Sequence, residues 1–203
     1  VTRQLADICA AHKLRRVVLV PVDGLSLAAE MALYLTRLLG QRGTSAILVE
    51  AEPIAGALGT LLGTQDAPGL AELLAGQVTM TEVLQKEQDG LVGIISAGND
   101  RLVNRALFAT KRLWLVLNGA LREFKIALIL TDGLGSDAQE IAVQGDFTII
   151  LARRDALENV ALASIISSFK KAGVGAAAVL AVGNDSVELF EAIAEDTSEN
   201  HAA

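Results

Sequence analysis

Residues 16–26 read Arg-Val-Val-Leu-Val-Pro-Val-Asp-Gly-Leu-Ser, an apolar run that ends on a turn dipeptide and opens into a helical pattern. The run Arg16–Val22 shows little polar alternation, as a strand covered on both faces should. Asp23-Gly24 is turn chemistry. From Leu27 the apolar positions Met31, Leu35, Leu38 and Leu39 fall on one helical face, and Gly40 with Gly43 supplies the stop. A buried strand that turns sharply into an amphipathic helix is the opening of a βα unit, and it decides the fold class.

The same alternation continues along the chain. Apolar segments rich in Val and Ile place further strands at Ser45–Glu50, Leu91–Ser96, Lys125–Thr131, Asp146–Leu151 and Ala176–Val182. Between them, apolar residues recur every three or four positions. One long helix is predicted from Leu102 through Ala106, Ala109, Leu113 and Leu117 to Leu121, with Arg101, Asn104, Arg105, Lys111, Arg112 and Arg122 on its wet side. Glu158–Lys171 and Val187–Ile193 are predicted as helices too, and the polar stretch from Ala194, with residues 195–203 as its tail, should fray. No repeat or low-complexity linker divides the chain. The expectation is one α/β domain over residues 1–203: three α/β/α layers around a mostly parallel twisted sheet. Its ligand crevice should lie beyond the carboxyl ends of the strands, where Asp23, Glu50, Glu52 and Asp132 would gather.

Composition agrees and excludes some functions. Of 203 residues, 52% are hydrophobic and 20% charged, enough apolar material for a large core, and 3% aromatics leaves that core to Leu, Val, Ile and Ala. The net charge of −7 argues against a broad basic face for nucleic acid or anionic lipid. Lys13, Arg15 and Arg16 form the clearest local basic patch, read as a solvated helix end ahead of the first strand. Cys9 is the single cysteine, which rules out an intrachain disulfide, fits a reducing cytoplasm and reads as a buried structural thiol. No apolar stretch reaches the roughly 20 residues of a membrane helix. The chain opens at Val1 with neither an initiator methionine nor a signal-peptide pattern, and so reads as a piece of a longer protein.

The corner at Val20–Ser26 sits where a P-loop NTPase carries its phosphate cradle. Such a cradle needs a glycine-rich turn whose amides surround the phosphates, a lysine for the β and γ charges, and a hydroxyl for magnesium. Here only Gly24 and Ser26 remain. Leu25 stands at the lysine position, and Asp23 would face a triphosphate with like charge. Asp23 or Ser26 can equally serve as a helix cap, and the helix start still offers free amides to a small anion. Glu50 and Glu52, alternating at a strand end, read either as solvated carboxylates or as a magnesium site completed by substrate phosphate.

The order of segments resembles the cytoplasmic domain of bacterial tyrosine kinases (BY-kinases), the P-loop proteins attached to polysaccharide chain-length determinants, or co-polymerases. The resemblance runs from about Leu14 to Asn184 through Val17–Leu39, Ala46–Pro53, the Gly-Leu-Ala-Glu-Leu-Leu-Ala-Gly run at Gly69–Gly76, Glu82-Val-Leu-Gln, Ser96–Asn99, Phe124–Gly133 and Gly145–Asn184. It implies a P-loop NTPase-like fold and a nucleotide site, but the family's functional residues transfer badly. Leu25 replaces the phosphate-binding lysine. Glu50 and Glu52 stand where the family has two aspartates. Leu130 falls at the magnesium-linked aspartate, with Thr131 after it and Asp132 two residues on. The tyrosine-rich tail is missing, since Tyr34 is the only tyrosine.

A charge-assisted hydrogen bond contributes roughly 1.5–3 kcal/mol, so loss of the lysine alone should weaken phosphate binding by about ten- to a hundredfold. These losses converge on one vestigial pocket: Asp23, Gly24, Leu25, Ser26, Glu50, Glu52, Thr131 and Asp132. The reading is a catalytically inactive kinase-like module of exopolysaccharide or capsule synthesis and export. It would have no catalytic residue, resident metal or cofactor, and would act on copies of itself or on the export and polymerase machinery. It would be cytoplasmic, as the inner domain of an inner-membrane protein, touching membrane only through segments outside this chain and binding no nucleic acid. The alternative is an active ATPase or autokinase that takes ATP or ADP with Mg through Ser26, Glu50, Glu52 and Asp132, aided by Arg153 or a neighbour's arginine. A partitioning or cell-division ATPase is a third reading, but Glu195–Ala203 supplies neither an amphipathic membrane tail nor a basic DNA surface.

Overall fold

The computed structural model describes residues 9, 13–22, 25–51, 56–99, 111–131, 133, 135–153, 160–175, 177–182 and 187–193. Strand β1, Arg16–Pro21, leads into helix α1, Leu25–Gln41, and then β2, Ala46–Ala51. Three short helices follow: α2 (Ala57–Leu62), α3 (Leu70–Ala75) and α4 (Met80–Val83). Next come β3 (Gln85–Glu87), β4 (Val92–Ile95), α5 (Lys111–Ala120), β5 (Ile126–Thr131), α6 (Ser136–Gln144) and β6 (Phe147–Arg153). Helix α7 (Val160–Lys171) and strands β7 (Ala177–Val182) and β8 (Val187–Ile193) complete the described chain.

The strands form one sheet in the order β3-β4-β2-β5-β1-β6-β7-β8. Its six inner strands run parallel, and β3 and β8 close the two edges antiparallel to their neighbours. The apolar runs are continuous because the sheet is covered twice, and alternate residues of one strand enter opposite cores. Val17 and Leu19 join the cluster beneath α1, with Ala28, Ala32 and Leu39. Val18 and Val20 face the other side, packed with Leu70 and Leu74 of α3, Leu113, Trp114 and Leu117 of α5, and Ile141 of α6. The result is the three-layer α/β/α arrangement expected from the alternation of segments.

One element departs from expectation. Val187–Ile193, predicted as a helix, is strand β8, paired along β7 from Val182↔Val187 to Ala177↔Ile193. Its apolar residues suit either period over so short a window. The open edge of β7 settles the matter, because its unpaired amides and carbonyls need a partner. The long helix predicted from Leu102 is described from Lys111 to Ala120, with Leu113, Trp114 and Leu117 buried; its start at 102–110 and the tail at 194–203 lie outside the described residues.

Candidate functional site

The parallel strands β1, β2, β4 and β5 bring their carboxyl ends to one edge, and β1 turns there toward α1. Leu25 and Ser26 are the first two residues of that helix, which sets the lysine position of a phosphate cradle at a helix N-terminus. Asp23, Gly24, Glu52 and Asp132 lie outside the described residues. Thr131 and Glu50 are described, and neither side chain is open to the crevice.

Glu50, on the penultimate residue of β2, is 0% exposed. Its Oε1 accepts from the Leu58 amide at 3.0 Å and its Oε2 from the Ala97 amide at 3.0 Å. It is therefore neither a solvated strand end nor an open ligand: both oxygens are committed to backbone donors. The local sequence explains the arrangement. Gly56 sits ahead of α2 in the left-handed region, φ 52°, and has no side chain to cap the helix, so its first amides would be orphaned. The longer glutamate reaches them from the neighbouring strand. Burial pushes the Glu50 carboxyl above its ordinary range, against the opposing pull of the Leu58, Ala97 and Ala57 amides.

Thr131 is also fully buried, and its hydroxyl donates to the Leu19 carbonyl at 3.1 Å, tying β5 to β1. Leu130, at the position of the family's third acidic motif, lies in the apolar cluster under α1. Glu50 and Thr131 are thus spent on the scaffold. Arg153 ends β6 as an exposed residue at the same edge of the sheet. Among the described residues no group of three or more His, Cys, Asp or Glu side chains is placed to hold a metal ion.

A second carboxylate works beside Glu50, and sequence reading noticed its motif without seeing its function. Glu72 of α3 is buried; its Oε2 accepts from the Gly69 amide at 2.8 Å and its Oε1 from the Asn99 amide at 2.9 Å. The main chain of α3 also docks on the end of β4, through Leu70 N to Ser96 O at 2.8 Å and Ala71 N to Ala97 O at 2.9 Å. Such close approach of two backbones requires glycine. A Cβ on Gly69 would collide with the main chain of Ser96 and Gly98, and one on Gly98, whose φ is +95°, would strike the Glu72 carboxylate. The Gly69–Gly76 run and the Ser-Ala-Gly-Asn stretch are therefore two halves of one bracket, with Glu50 and Glu72 gripping alternate amides of residues 97 and 99.

Arg15 and Arg16 of the basic patch and the single cysteine serve the scaffold. Trp114 and Phe124 are core anchors. Arg16 pairs with Asp146 at 2.5 Å and lies 5.5 Å from the Trp114 ring centroid. Asp146 also accepts from the Arg15 and Arg16 amides. Burial alone would raise its carboxyl, but the Arg16 side chain and those two amides together hold it below the usual aspartate range. Cys9 is buried, and burial followed by the Asp146 charge pushes its thiol up to about 11.

No protein-family model and no curated protein matches the chain. Solved structures do. The kinase domain of the Escherichia coli tyrosine kinase ETK superposes with a TM-score of 0.75 at 17% identity, covering 95% of this chain and 77% of that one. The BceF tyrosine kinase domain gives 0.67 at 25% identity over 84% of this chain and 69% of that one. The cell division ATPase MinD of Pyrococcus furiosus gives 0.60 at 22% identity over 80% and 70%. The described chain has the P-loop NTPase-like α/β fold of the bacterial tyrosine kinase domain.

Proposed function

We propose that this chain is a catalytically silent member of the tyrosine-kinase-like group, acting as a regulatory or scaffolding module in bacterial exopolysaccharide or capsule synthesis and export. The observation that carries the reading is Glu50: the acid at a magnesium-site position is sealed from water, with both oxygens bonded to backbone amides. Leu25 in place of the lysine and Leu130 in the core support it from either side of the pocket. Phosphoryl transfer in this fold depends on positioned cations around the transferring group. A hydrocarbon at the lysine position and a structural carboxylate at the metal position supply neither.

On this reading the module belongs on the cytoplasmic face of the inner membrane, presenting surfaces to its own copies or to an active partner. Among the described residues no helix is long and apolar enough to cross a membrane. The alternative, turnover through Ser26, Glu50, Glu52, Asp132 and Arg153, requires Glu50 to leave its amides. Phosphate release and autophosphorylation assays with ATP and Mg²⁺ decide between them. The proposal expects no turnover above buffer; release that disappears in Ser26→Ala and Asp132→Asn variants overturns it.

A further inference from the structure

At the opposite edge of the sheet, where the strands begin, Lys13, Arg15, Lys125 and Thr44 line a cleft of about 440 Å³ floored by Cys9, Leu14 and Ile126. In a chain of net charge −7 this concentration of cations is anomalous, and exposed Arg42 and Arg122 follow the neighbouring helices α1 and α5. The plain explanation is that cations answer the carbonyl ends of helices. It accounts for Arg15, whose guanidinium donates to the Leu121 and Phe124 carbonyls after α5 and to Lys125 O. It also covers Lys13, which follows the helical Cys9 where Leu14 N closes on Cys9 O, but it does not account for Lys125. The last carbonyls of α1 are already taken by backbone amides: Leu39 O by Arg42 N and Thr44 N, and Gly40 O by Gly43 N.

Nor do carboxylates claim the lysines. Asp146 is committed to Arg16 and to two amides, and Glu123 pairs with Lys86. Among the described residues, neither the Lys13 nor the Lys125 ammonium meets an acid. Lys13 itself has a φ of +55°, the left-handed turn of a helix C-terminus that Leu14 N closes on Cys9 O at 2.8 Å, a conformation that favours glycine and costs a lysine on the order of 1–2 kcal/mol. The floor is apolar, and its one ionisable group, the Cys9 thiol, stays neutral near pH 7.

We infer that this cleft is an anion site for a phosphate-bearing ligand, a phosphate or diphosphate group seated between Lys13 and Lys125 with the body of the molecule against Cys9, Leu14 and Ile126. It is separate from the nucleotide corner, lying at the other end of the strands, and it does not depend on whether that corner binds ATP. The phosphate can belong to a free small molecule or to a lipid headgroup.

Titration calorimetry with pyrophosphate, and co-sedimentation with phosphatidylglycerol against phosphatidylcholine vesicles, distinguish the sources. Saturable pyrophosphate binding supports a free ligand; binding to phosphatidylglycerol vesicles alone supports a headgroup. In either arm Lys13→Gly and Lys125→Gln should each weaken binding about tenfold, while Ser26→Ala leaves it unchanged. Lys13→Gly should at the same time raise Tm by about 2–4 °C, because glycine relieves the left-handed backbone. Weaker binding in a more stable protein cannot be attributed to misfolding. Absence of saturable binding to both probes, binding retained in the double lysine variant, loss on Ser26→Ala, or a fall in Tm for Lys13→Gly overturns the site.

Discussion

Glu50 shows how one extra methylene changes what an acid at this corner does. Its carboxylate reaches past the strand end to the amides of Leu58 and Ala97, and burial there disfavours its ionised form. Glu50→Ala leaves those buried donors without an acceptor, and chemical denaturation should show a loss of about 3 kcal/mol or more. Its folded-state pKa is raised, so the native state holds the proton more tightly than the unfolded chain does. The resulting penalty is absent below the unfolded carboxylate pKa and grows as pH rises through the folded one. Asp146 has the opposite sign: its depressed pKa stabilises the fold above the unfolded aspartate value, and that contribution is lost as pH falls through the folded pKa. The Asp146→Asn variant should therefore show a flatter loss of stability on acidification, read from Tm across the range below about pH 5. The substitution at Leu25 was legible in the sequence because a P-loop demands particular residue types. The bracketing by Glu50 was not, since its partners lie 8 and 47 positions away.

At the scale of elements, the strands were legible and the short helices were not. β1, β2, β4, β5, β6 and β7 all lie within two residues of the apolar runs that announced them, because a strand buried on both faces needs an uninterrupted apolar sequence. By contrast β3, Gln85–Glu87, is wholly polar and exists by pairing with β4. Helices α2, α3 and α4 span four to six residues, too few to show a period, and tertiary contacts define them. Helix α3 takes its place from Glu72 and from the glycines that let it meet β4. Gly98→Ala should strain a φ of +95° and push the Glu72 carboxylate aside, costing about 2 kcal/mol or more. Hydrogen exchange should then accelerate at the Ala97 and Asn99 amides, while the amides of β1 keep their protection. The strand β8 was misread for a related reason: the identity of residues 187–193 is decided by the edge they cover.

Across the whole molecule the two ends of the sheet have diverged. The carboxyl end keeps the layout of a nucleotide-binding fold but spends Glu50, Glu72 and Thr131 on holding its own backbone together. The amino end gathers lysines and arginines in a chain that is acidic as a whole. The sheet's outer boundary also matters at this scale. Deleting residues 187–203 removes β8 and bares the β7 edge, and light scattering should then report aggregation beyond any assembly the full chain forms. In a silent module the fold has outlasted its nucleotide chemistry. Titration calorimetry of the intact protein with ATP and Mg²⁺ should then show no saturable heat in the micromolar range; a micromolar Kd that depends on Mg²⁺ would contradict the proposal.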